Sequence, residues 1–131
     1  MKKLFLTLIS ILFSIHISTA QKIQPTYKNI SYGPHQDMTL NFWKFKSESP
    51  VPLLVHIHGG GWIGGKKNET ISPNELKKGY SFASIDYRLA GTELLPAAVH
   101  DAARAIQFLR TKAKEWNFNP ARIAVIGGSA G

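Results

Sequence analysis

The chain has 131 residues, 44% of them apolar, with 11 glycines, 7 prolines and a formal charge of +8, a composition that fits one globular domain and excludes a disordered or low-complexity chain. It contains no cysteine, which rules out disulfides, a thiolate metal centre and a lipid-modified N-terminal cysteine. The cations are scattered as pairs such as Lys66-Lys67 and Lys77-Lys78, so the positive balance reads as a solvated surface and no nucleic-acid partner is expected.

Residues 1–20 read as a secretory signal peptide and residues 21–131 as the mature domain. Lys2 and Lys3 precede an apolar run from Leu4 to Ile17, and Ser18-Thr19-Ala20 supplies small residues for cleavage after Ala20. An uncleaved anchor is the competing reading, but the run is shorter than the ~20 residues a membrane span needs. A secreted or periplasmic protein, free of the membrane after cleavage, is therefore expected.

In the mature chain, Pro25 to Tyr32 and Met38 to Phe45 predict a hairpin at a sheet edge, turned by Gly33-Pro34-His35-Gln36-Asp37. The second strand alternates Met38, Leu40 and Phe42 with polar residues. Leu53 to His58 is a nearly continuous apolar run, which suits a strand covered on both faces. A glycine-rich loop spans Gly59 to Gly65, and Ser72-Pro73-Asn74-Glu75 has the spacing of a capping box with proline at the first helical position. That helix should run to about Lys78 and stop at Gly79, before a second buried strand from Tyr80 to Tyr87. From Pro96 onward, Val99, Ala102, Ala103, Ile106, Leu109, Ala113 and Trp116 recur at helical spacing and predict one apolar stripe. Asn117-Phe118-Asn119-Pro120 ends the helix, and Arg122 to Gly127 forms the last strand. The alternation predicts an α/β fold with a mostly parallel sheet and an antiparallel N-terminal hairpin.

Two glycine motifs fall at the carboxyl ends of predicted strands, where α/β sheets gather reactive groups. One is His58-Gly59-Gly60-Gly61-Trp62; the other is Gly127-Gly128-Ser129-Ala130-Gly131, a G-x-S-x-G turn. When a serine attacks an ester carbonyl, negative charge develops on oxygen, and N–H donors aimed at that oxygen lower the barrier. Backbone amides can serve only where the chain approaches the substrate closely, which glycine permits. Ser129 is thus the candidate nucleophile, with Gly60, Gly61 and Ala130 as candidate oxyanion donors. Gly127 and Gly131 meet a steric demand of the tight turn. His58 precedes the loop and is expected to anchor it rather than to act as a base.

With these segments, and with Asp86-Tyr87-Arg88-Leu89-Ala90, Leu95-Pro96-Ala97-Ala98-Val99-His100-Asp101-Ala102 and Asn119-Pro120-Ala121-Arg122-Ile123, the chain resembles the α/β-hydrolases of the hormone-sensitive-lipase-like branch. These are HGGG-bearing carboxylesterases that include bacterial acetylxylan and feruloyl esterase relatives. The resemblance implies an acyl-serine mechanism without cofactor or metal, a small ester or acylated polysaccharide as substrate, and structural roles for Asp86, Arg88 and Asp101. In that family the acid and the histidine follow the nucleophile, whereas Asp37, Asp86, Asp101, His35, His56, His58 and His100 all precede Ser129. The chain therefore reads as an N-terminal part truncated at the elbow, with negligible activity alone and an exposed apolar edge at Ile123 to Ile126. Two alternatives stay open: an amidase or peptidase on the same fold, and a non-catalytic binding protein that keeps it.

Overall fold

In the computed structural model, which describes residues 21–131, the β-branched and aromatic runs assemble into one five-stranded sheet. The predicted signal peptide lies outside the described residues. The strands are β1 (Tyr27–Ser31), β2 (Thr39–Trp43), β3 (Val51–Ile57), β4 (Ser81–Ile85) and β5 (Phe118–Gly127), in the order β1-β2-β4-β3-β5. β1 and β2 form the expected antiparallel hairpin with β1 at the edge, and β2 also runs antiparallel to β4. β3 is parallel to both β4 and β5. Neighbours pair with both of its edges, but its faces differ from the expected full cover: Val51, Leu53 and Val55 are buried, whereas Pro52, Leu54 and His56, which alternate with them, are half-buried.

Alternation along the strands sorts side chains onto two faces. Leu40, Phe42, Leu53, Val55, Ala83 and Ile85 form one buried layer with Ala105, Leu109, Ala113 and Trp116 of the helix α2 (Ala97–Trp116). Phe42 and Trp116 sit 4.6 Å apart between ring centroids, and Tyr27 stacks on Trp116 at 4.7 Å. The opposite face carries a smaller cluster, Trp43, Ile71 and Phe82, beside a buried polar network. There Asn41 bridges the Asn29 amide and the Asn68 carbonyl at 2.8 Å each, and Ser84 Oγ accepts from the Asn68 amide at 2.9 Å.

Three other sequence expectations need correction. The stripe on α2 holds at Ala102, Ile106, Leu109, Ala113 and Trp116 but not at Val99, which is 60% exposed, or Ala103, which is exposed, while Ala98, Asp101 and Ala105 turn inward. Asp101 is held inside by Arg88. The short helix α1 (Pro73–Lys77) does start at Ser72, but Ser72 Oγ accepts from the Asn74 amide, and Glu75 binds Lys78 and Tyr80 instead of closing a capping box. Finally, β5 begins at Phe118 and not at Arg122. Asn117 stops α2 in a left-handed conformation (φ 58°), and the buried Phe118 pairs with Val51 at once; a register slip between Val51 and Leu53 absorbs the turn residues.

Candidate active site

Parallel strands β3 and β5 end side by side, with Ile57 opposite Gly127. The two glycine motifs that follow them must therefore leave the sheet next to each other. They touch. A Cβ on Gly59 would stand 2.5 Å from the Gly128 carbonyl oxygen and 3.4 Å from Ser129 Cβ. A Cβ on Gly131 would stand 2.2 Å from the Ile57 carbonyl oxygen, and one on Gly127 2.3 Å from the Gly131 carbonyl carbon. Such separations exclude any side chain, so the turn can pack under the loop only with glycine at these positions.

Ser129 holds φ at +59°, a left-handed conformation that a residue with a Cβ adopts only when its surroundings enforce it. The Gly131 amide closes the turn onto the Gly128 carbonyl at 3.0 Å, and Ser129 is exposed at its tip. The sharp strand-to-turn geometry expected of the G-x-S-x-G motif is present. Ala130 and Gly131 line one end of a cavity of about 170 Å³, with Ile57, Trp62, Tyr87, Ala98, Val99 and Ala102 around it. Gly60 and Gly61 lie in the adjoining loop with φ of +126° and +62°.

His58 is buried at 5% exposure. Its Nδ1 lies 2.8 Å from the Gly59 carbonyl oxygen, its Nε2 lies 3.5 Å from Asp86 Oδ1, and Tyr87 stacks on its ring at 4.4 Å. The Tyr87 hydroxyl donates to the His58 carbonyl at 2.7 Å, and burial pushes the phenol above its ordinary pKa, so it stays a donor. None of the other described histidines is bonded to the serine. His56 contacts Ser84 at 3.2 Å, His35 accepts from the Asp37 amide at 3.2 Å, and His100 lines a separate cavity with Pro34 and Asp101.

A second charged pair braces the rim. Arg88 donates its amide, Nε and Nη2 to Asp101 at 3.0, 2.9 and 2.7 Å. Burial opposes the charge on Asp101, yet the Arg88 donors outweigh it and hold the carboxyl below its usual range. This fork joins the end of β4 to the first turns of α2, beside Val99. Spacing alone missed Lys67, which is buried at 8% exposure against Asp86; it stood in the sequence as one half of a surface-like lysine pair.

The BD-FAE family model matches residues 41–131. Among curated relatives, carboxylesterase NlhH of Mycobacterium tuberculosis is 34% identical over 108 residues, which cover 79% of this chain and 34% of that protein. Esterase LipQ of the same species is 30% identical over 110 residues, covering 79% of this chain and 26% of its own length. The chain thus spans about a third or less of the curated relatives it matches. Among solved structures, MGS-M1, an α/β hydrolase from a deep-sea metagenome library, superposes with a TM-score of 0.70 at 29% identity, covering 83% of this chain and 49% of that one. A truncated carbohydrate esterase from gut microbiota gives a TM-score of 0.69 at 23% identity, covering 77% and 38%, which supports the fold. The architecture is that of the N-terminal part of an α/β-hydrolase.

Proposed function

Because the chain belongs to the BD-FAE family, we propose that it carries the nucleophile and the oxyanion loop of a serine carboxylic-ester hydrolase. The carrying observation is Ser129 at φ +59° on a turn packed so closely against the Gly59 loop that no side chain fits between them. In this reading Ser129 Oγ, its proton taken by a base, attacks the ester carbonyl. The tetrahedral intermediate then breaks its C–O bond to the alcohol, which leaves with that proton as the acyl-enzyme forms. The amides of Gly60, Gly61 and Ala130 receive the developing oxyanion, and His58 holds the loop from beneath. Esterase relatives at 30–34% identity support the choice of ester over amide chemistry.

A base must take the proton from Ser129 and a carboxylate must orient that base. Among the described residues none of His35, His56, His58 and His100 is bonded to Ser129, and in this reading a longer protein supplies both groups. The 131-residue chain alone is then expected to hydrolyse a short-chain nitrophenyl ester at a negligible rate. A full-length protein that contains it should turn the ester over and be labelled at Ser129 by a fluorophosphonate. Robust Ser129-dependent turnover by the short chain would falsify the need for external partners; absence of labelling in the full-length protein would favour a non-catalytic relative.

The signal-peptide pattern expected at residues 1–20 supports a secreted or periplasmic location, which would bring extracellular esters such as decorated polysaccharides within reach. Mass analysis of the exported protein should find Gln21 at its N-terminus.

A further inference from the structure

The glycine loop has two stems, and one carboxylate lies between them. His58 forms the outgoing stem after β3, and Lys67 forms the return stem. Asp86, just past β4, accepts the Lys67 amide through Oδ1 at 2.6 Å and Lys67 Nζ through Oδ2 at 2.7 Å, while His58 Nε2 lies 3.5 Å from Oδ1. Between the stems the loop folds back on itself. The Gly60 carbonyl accepts from the Ile63 and Gly64 amides at 3.1 Å each. Gly65, at φ +96°, lies over the outgoing stem: a Cβ there would stand 2.2 Å from the Gly59 carbonyl oxygen and 2.3 Å from His58 Nδ1.

Gly59, Gly60, Gly61, Gly64 and Gly65 give this segment a large backbone entropy to lose on ordering. A buried lysine–carboxylate pair adds little net stability over an apolar replacement, because desolvating the charges offsets most of their attraction. What the pair does supply is direction: two bonds from one residue to one carboxylate fix both the height and the rotation of the return stem. We propose that Lys67 is a positioning residue for the oxyanion loop, clasped through Asp86 to the stem that carries His58, so that the Gly60 and Gly61 amides keep one orientation. This inference rests on the serine-esterase reading above.

Donors to an oxyanion act chiefly in the transition state, so loosening the clasp lowers kcat more than it raises KM. The test uses the full-length esterase. Lys67→Met should lower kcat on a short-chain nitrophenyl ester about tenfold to a hundredfold, short of the ~100- to 1,000-fold lost when an oxyanion donor is removed outright. KM should stay within about twofold. Because Lys67→Met leaves the Asp86 carboxylate without its buried partner, the melting temperature should fall too, so rates are compared well below it. Lys67→Arg, which keeps the charge beside Asp86, should recover most of the rate. Amide exchange at Ile63 and Gly64 should speed up in Lys67→Met, a readout independent of turnover. If Lys67→Met does not fold, Lys67→Gln takes its place in the same measurements. An unchanged kcat with unchanged exchange, or a loss of rate that tracks a loss of melting temperature without rescue by arginine, overturns the clasp. Ser129→Ala run alongside separates the two claims: if it abolishes turnover while Lys67→Met does nothing, only the clasp fails; if Ser129→Ala stays active, the esterase reading fails and the clasp with it.

Discussion

The sheet has two unlike halves. Around β1, β2 and the C-terminal part of α2, space is filled by rings: Tyr27, Phe42, Trp116 and Phe118 meet with centroids 4.6–6.0 Å apart, and Phe42 is fully buried. At the ends of β3 and β5, space is kept empty of side chains so that backbone can meet backbone, as at Gly59 against Gly128 and Gly131 against Ile57. The first half holds the chain together, and the second half holds the candidate site. The lesson is that burial of apolar area and close approach of polar backbone are separate demands, met by different residue types in different places.

If that division holds, Ser129→Ala should have the largest effect of all on function and almost none on fold. In the full-length protein turnover should fall by a thousandfold or more, on the order of the ~10⁶ seen for removal of a serine nucleophile, with an unchanged denaturation midpoint. Phe42→Ala should do the reverse, costing about 3–5 kcal/mol of stability in urea unfolding, while fluorophosphonate labelling of whatever remains folded proceeds at the parental rate. A loss of labelling in the folded fraction would show that the two halves are coupled.

Asp101 tests the seam between them. Its folded carboxyl titrates below the ordinary value of about 3.8, so its contribution to stability is complete above that pH and is lost as the pH falls through the depressed folded value. Asp101→Asn should lower the melting temperature at pH 7 and flatten the acid limb of the stability curve below about pH 3.8. An acid limb as steep as the parent's would assign that pH dependence to other carboxylates.

A smaller effect should come from Ser129→Gly. Relieving a left-handed φ at a residue with a Cβ is expected to raise stability by about 1 kcal/mol while abolishing turnover, so a destabilised glycine variant would mean that the turn is not strained. Smallest is Ile126→Lys. This β5 residue is 45% exposed, next to Val125 at 50%, and β5 is hydrogen-bonded on one side only, so a charge there should change folding free energy by less than about 0.5 kcal/mol. It should nevertheless reduce aggregation of the 131-residue chain, because it breaks an apolar sheet edge. Equal aggregation of both chains in light scattering would place the sticky surface elsewhere.

Local chemistry made much of this legible beforehand. Alternation in Met38, Leu40 and Phe42 set the hairpin, helical spacing set the existence of α2, and the two glycine motifs marked the loop and the turn. These features depend on residues close in sequence, whose preferences survive in the fold. The failures have a common cause too. At the start of α2, Val99 and Ala103 were misplaced because the inward position is taken by Asp101, which Arg88 holds from 13 positions away, and Glu75 left its capping box for Tyr80 and Lys78.

Sequence alone determined the element types, their order, and the serine and glycines of the candidate site, because each follows from short-range periodicity or from the absence of a side chain. Tertiary structure decided that the two glycine motifs touch, that Asp86 lies between His58 and Lys67, and that a lysine in an ordinary-looking pair is buried. Those facts hinge on strands β3, β4 and β5 ending side by side, and contact between residues tens of positions apart is fixed by the packing of the whole sheet, which no local pattern encodes.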